Sequence, residues 1–169
     1  MKAFIAECDP KGHFLIFSEA IKFFQKLPFS HYALIFVDEY GMIKSMDASG
    51  RTLHQESVEN FQKRYNIIRL YEIPETKHTL EDFRKWVHHL EGQKYGYKQV
   101  IGLFLLSLHL TQRNIFSDGE NHLICNEFVL RFLNFQGLIG NIKFDNWDLV
   151  KTRKYMEENF KYQGVTLWN

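Results

Sequence analysis

The chain is short of cysteine and proline, with two of one and three of the other in 169 residues. Two thiols behind an N-terminal "MKAFIAECDPKG" that does not read as a secretion signal fit free cysteines in a reducing, cytoplasmic setting. A Cys8–Cys125 bridge is not demanded by anything in the sequence. Too few prolines to mark a linker, and no repeat or low-complexity tract, leave residues 1–169 as one domain. An excess of charge of one sign is also missing: 21 Lys and Arg face 20 Asp and Glu, and no basic block stands out. Nucleic-acid binding therefore has no electrostatic footprint. The longest apolar run, "VIGLFLLSLHL" from Val100 to Leu110, is too short for a transmembrane span and reads as a buried helix. There is no Cys-x-x-Cys and no His-x-x-x-His. The adjacent His88 and His89 would point about 100° apart on a helix, so no metal site is expected. No phosphate loop or dinucleotide fingerprint occurs, and no cofactor is expected.

What is present is apolar bulk, 45% of the residues, including 16 Phe. That is enough to build a core and to exclude disorder. "KAFIAE" reads as a strand, "HFLIF" as a second, and "SEAIKFFQKL" as a helix capped by Ser18. "HYALIFV", a turn at "DEYG", and "MIKSMDA" form a hairpin. "ESVENFQKRY" reads as a short helix and "NIIRLYEI" as a strand ending at Pro74. The second half is helical: "TLEDFRKWVHHLEG" with Thr79 as N-cap and Gly92 as stop, the buried helix after Tyr97, "HLICNEFVLRFLNFQG", and "NWDLVKTRKYMEEN". Strands early and helices late predict an α+β fold with a mostly antiparallel sheet.

Cys125 falls where a helix begins. With Asn121 as N-cap it would lie in the first turn, where unpaired N–H groups and the helix dipole favour a thiolate and an oxyanion. Buried packing is the commoner fate of a free cysteine. A nucleophilic thiol needs a base, and the base needs an orienting partner. Of eight histidines, His31 is distinctive because it opens a strongly apolar strand directly after "LPFS". Asp47 lies near the far end of the partner strand. A three-residue loop, 38–40, would set His31 directly opposite Asp47. A two-residue loop would pair His31 with Ala48 and turn Asp47 to the other face. Both registers are open, and Ser45, on the face of Asp47, is a weaker substitute.

"FSHYALIF", "MDA", "YGYKQVIG" and "CNEFVLRFL", in that order over roughly residues 1–155, resemble the circularly permuted branch of the NlpC/P60 papain-like superfamily. That branch includes YiiX-like proteins and, more distantly, lecithin:retinol acyltransferase-like enzymes. Ser30-His31, Asp47-Ala48, Tyr95 with Tyr97, and Cys125 through Val129 match its short motifs. Asp at the third position and Asn126 in place of Ser depart from them. The resemblance implies a papain-like fold with Cys125 as nucleophile, His31 as base, Asp47 as orienter, and Tyr97, or else Tyr95, beside the thiol. Glu127 is a motif member that would point away from the thiol, into a cap or salt bridge. The implied activity is a cysteine hydrolase acting on a peptide, a cell-wall peptide or an acylated lipid. The alternatives are a thiol-dependent lipid acyltransferase and an inactivated scaffold that binds.

Overall fold

The computed structural model describes residues 2–164 apart from 13–14, 51, 76–77, 117–121 and 141–142. Among the described residues the fold is α+β. In chain order the elements are β1 (Ala3–Pro10), α1 (Leu15–Gln25), β2 (His31–Val37), β3 (Ile43–Ser49), β4 (Thr52–Ser57), α2 (Val58–Arg64), β5 (Tyr65–Ile73), α3 (Leu80–Leu90), β6 (Lys94–Tyr95), α4 (Tyr97–Ser107), β7 (His122–Leu123), α5 (Cys125–Phe135), α6 (Leu149–Asn159) and β8 (Lys161–Gln163). Six strands form an antiparallel sheet in the order β4-β3-β2-β1-β5-β8, and β6 and β7 form a separate parallel pair. No helix among these residues is long and apolar enough to cross a membrane.

Both faces of the sheet are covered, which is why "HYALIFV" is apolar without alternation. Tyr32, Leu34 and Phe36 of β2 pack toward α5, α3 and α6 with Phe83, Phe128, Phe132 and Met156. Ala33 and Ile35 face the opposite way, toward Val58 and Phe61 of α2. Phe128 and Phe132, four residues apart, present one buried stripe of α5. Each such ring contributes roughly 1.5–3 kcal/mol through burial. The chain enters α3 through a capping box in which Thr79 and Asp82 satisfy each other's backbone N–H, as the Thr79 signal predicts.

Several expectations change. "HFLIF" is not a strand: Leu15–Phe17 open α1, while His13 and Phe14 lie outside the described residues. Both edges of β1 are already taken, by β2 and β5, so no site in the ladder remains for it. Ser18 is consequently inside α1, not at its cap. It is buried, donates to Asp9 Oδ1 at 3.2 Å and accepts from Ser30 Oγ at 2.6 Å. The run Val100–Leu110, read as a buried helix, is helical only as far as Ser107, within α4 (Tyr97–Ser107), and that helix is only part-buried. Gln99, Gly102 and Leu103 face inward, while Ile101 is 53% exposed.

Candidate active site

β2 and β3 are joined by five residues, 38–42, so Val37 pairs with Ile43 and Leu34 with Met46. This is neither of the two registers considered from the sequence. Asp38 sets the longer loop by accepting from the backbone N–H of Tyr40 at 2.9 Å and of Met42 at 2.8 Å. Extrapolated along the ladder, His31 falls level with Ser49, so Asp47 meets it on the diagonal. The shift is an even number of residues from the three-residue loop, and both side chains therefore stay on one face. The contact survives: His31 Nε2 donates to Asp47 Oδ2 at 2.9 Å. Ser45 is directed elsewhere, to the Glu56 carbonyl at 3.4 Å.

The His31 ring is clamped as well as bonded. Tyr65 stacks on it at 4.8 Å with the planes 13° apart, and Phe61 stacks on Tyr65 at 4.7 Å. Arg64 lies over the Tyr65 ring at 5.1 Å, binds Glu56, and reaches Asp47 Oδ1 at 3.4 Å. With Nε2 occupied by Asp47, Nδ1 is the ring nitrogen left for another partner.

Cys125, at the start of α5, acts on this ring through its charge and a hydrogen bond. The helix starts at Cys125 itself, with Ile124 as an N-cap that provides no side-chain hydrogen bond; Asn121, the expected cap, lies outside the described residues. The N–H groups of Cys125, Asn126 and Glu127 thus have no acceptor within the helix. The parallel β6–β7 pair sets the start of α4 beside the start of α5, and the Gly96 N–H donates to the Leu123 carbonyl at 3.2 Å. The approach is close: a Cβ on Gly96 would lie 3.1 Å from Ile124 Cγ2 and nearer still to Gln99.

Charge binds these pieces together. Burial opposes protonation of His31, yet the charge on Cys125, then Tyr65, the Asp47 hydrogen bond and a hydrogen bond with Cys125 hold the imidazolium well above its ordinary 6.5. Burial likewise opposes ionisation of Asp47, but the His31 hydrogen bond and charge, Ser49 and Arg64 bring its carboxyl below the ordinary 3.8. The other thiol is different in kind. Cys8 pairs with His31 across the ladder but is fully buried, and burial pushes it well above 9.0.

Cys125 is nearly covered but borders a small cavity of about 40 Å³, lined by Ile21, Ser30, Tyr95, Val100, Phe104 and Leu149 among others. That volume takes a water. The phenol at this cavity belongs to Tyr95, whose pKa burial and the charge on Cys125 raise well above 10.0. Tyr97 is the outer of the two. It is 57% exposed, packs edge-on to Tyr95, and donates its hydroxyl to the Gly50 carbonyl at 2.8 Å.

No family model, curated protein or solved structure matches the chain. The site is therefore described by its own geometry. That geometry joins His31 to Asp47, Cys125 acts on the ring through its charge and a hydrogen bond, and Tyr95 rather than Tyr97 borders the Cys125 cavity. Glu127 points into a buried ion pair with Arg131 at 2.6 Å. Sequence reading missed Tyr65, Arg64 and Ser49. Only Ser49, two residues past Asp47 on a strand, had a signal: period two places it on the same face.

Proposed function

We propose that the chain is a papain-like cysteine hydrolase of the permuted NlpC/P60 type, cleaving an amide or other acyl bond through Cys125, His31 and Asp47. The observation that carries this reading is the His31 ring, bonded through Nε2 to a buried, ionised Asp47 and coupled by charge and hydrogen bonding to a thiol at a helix N-terminus.

In the proposed cycle the Cys125 thiolate attacks the substrate carbonyl and the C=O pair moves onto oxygen. The N–H groups at the start of α5 and the Tyr95 hydroxyl donate to that oxyanion. His31 Nδ1–H gives its proton to the leaving group as the C–N or C–O bond breaks, leaving an acyl-thioester on Cys125. Neutral His31 then takes a proton from water, which attacks the thioester and releases the acid and the thiolate. Asp47 holds the ring in one tautomer and stabilises the imidazolium throughout.

A second reading is favoured by one feature. The cavity lining is dominated by Ile21, Val100, Leu103, Phe104, Ile124 and Leu149. An apolar surround that slows water would let an acceptor other than water resolve the thioester, making the same site an acyltransferase. The experiment is acylation by a p-nitrophenyl ester followed by mass spectrometry. The reading expects one acyl group on Cys125, its formation slowed at least about tenfold in His31→Ala. No acyl adduct, or an adduct formed equally fast without His31, sinks it. The resolution of the thioester with and without an added amine or alcohol separates hydrolase from transferase.

A further inference from the structure

α4 lies at the surface with an apolar outer face. Tyr97, Ile101, Phe104, Leu105 and Leu108 fall within about 100° of helix circumference. Tyr97 and Ile101 are 57% and 53% exposed. On one flank α1 continues this face: Phe24 packs edge-on to Phe104 at 4.7 Å, and Phe23, 76% exposed, packs on Phe24 at 5.2 Å. On the other flank the chain at 114–116 lies against Gly102, where an added Cβ would collide with Asn114 and come within 3.3 Å of the Phe116 nitrogen. Ile115 and Phe116 are 52% and 40% exposed there. Two helices and a loop thus bring exposed rings and aliphatic chains to neighbouring positions on the surface.

The charge of the segment that carries α4 selects the occupant. Residues 92–116 contain Lys94, Lys98 and Arg113 and none of the chain's 20 acidic residues. All three cations are exposed, and among the described residues none of them makes an ion pair. The exposed carboxylate on α1, Glu19, is bound to Lys22 at 2.5 Å. A second copy meeting this face through a two-fold axis would bring like charges together. A bilayer with anionic headgroups satisfies both parts, accepting the rings at the acyl boundary and the cations at the phosphates.

We propose that the α1–α4 face, with its exposed Phe23, Phe24, Ile101, Ile115 and Phe116 and with Lys94, Lys98 and Arg113 on the segment that carries α4, docks the protein on an anionic lipid surface. The docking does not depend on the reaction assigned to Cys125, and Cys125→Ala keeps it. The test is co-sedimentation of the full chain with vesicles of phosphatidylcholine alone and of phosphatidylcholine with about 30% phosphatidylglycerol. The expected result is partition onto the anionic vesicles at least about tenfold stronger than onto the neutral ones, weakened by salt. Phe23→Ser with Ile101→Ser, both at exposed positions, should lower that partition about tenfold or more with an unchanged thermal melt. Lys98→Glu with Arg113→Glu should remove the preference for anionic vesicles. Absence of binding, equal binding to neutral vesicles, or binding unaffected by Phe23→Ser with Ile101→Ser overturns the proposal. So does a dimer, lost in the same variant, that forms without any vesicle binding.

Discussion

Asp47 and Glu7 are both fully buried, on opposite faces of one sheet, and their pKa values move in opposite directions. Burial pushes each carboxyl up. For Glu7 it prevails: Tyr71 donates to Oε1 at 3.0 Å, but Arg153 and Arg69 stop at 3.8 and 3.9 Å. Both guanidiniums pair instead with the half-exposed Glu157, at 2.9 and 2.5 Å. Among the described residues Glu7 Oε2 and the Tyr32 hydroxyl have no hydrogen-bond partner, and the Tyr71 phenol is itself pushed up to about 12 by burial. For Asp47 burial loses, because an imidazole donates at 2.9 Å and a guanidinium reaches the other oxygen. About 1 Å of separation between cation and carboxylate divides the two outcomes. The carboxylate held ionised against its burial is the one that accepts the His31 hydrogen bond.

The comparison is broken most sharply at the thiol. Cys125→Ala should cut turnover of the ester probe by about 10⁴-fold or more while circular dichroism and the thermal melt stay native. Asp47→Asn, measured on the same probe, should cost about 10²–10⁴-fold in kcat, because the amide cannot stabilise the imidazolium. Its stability effect has a defined sign. Asp47 is depressed in the folded state, so its contribution is present above the unfolded value near 4 and is lost as pH falls through the lower folded one. Denaturant melts should show Asp47→Asn weaker than wild type by on the order of 3 kcal/mol at neutral pH, the gap closing in acid. Glu7 is raised in the folded state, so stability is lost as pH climbs from its unfolded value through the raised one. Glu7→Gln should therefore match or exceed wild type at pH 7, by about 1 kcal/mol, with the difference shrinking toward pH 4. If both substitutions shift stability in the same direction at neutral pH, the contrast between the carboxylates is wrong. The smallest pair is Tyr95→Phe, about tenfold in kcat, against Tyr97→Phe, which should act mainly through less than about 1 kcal/mol of stability.

Much of this arrangement was legible in the residues. The apolar run after His31, the Thr79 cap and the aromatic stripe of α5 each follow from local rules, and all three elements form where those rules put them. His31 at a strand start was legible from the turn before it, whereas Cys125 was placed near a helix start through Asn121, and the helix in fact begins after Ile124, which carries no capping side chain. What escaped depends on distant pairing. The short β4, β6, β7 and β8 exist only because neighbours supply their ladders, and β6 and β7, two residues each, have no periodicity to read. The His31–Asp47 register was legible only to within the parity of the loop, and the five-residue loop is fixed by Asp38 folding back on its own backbone. Tyr65 and Arg64 could not be read as parts of the site. They reach it through α2, which connects β4 at one end of the sheet to β5 beyond β1, and no sequence spacing encodes that crossing.

The most direct measurement is the titration of the His31 ring, followed by NMR of ¹⁵N-labelled imidazole in the wild type and in Cys125→Ala. The charge on the sulfur is the largest influence raising the His31 pKa. The wild-type ring should therefore stay protonated to clearly above pH 6.5, and loss of the sulfur should bring its titration down. An identical titration in the two proteins would mean that the thiol and the imidazole do not act on each other, and the assignment of this site as a catalytic pair would be contradicted.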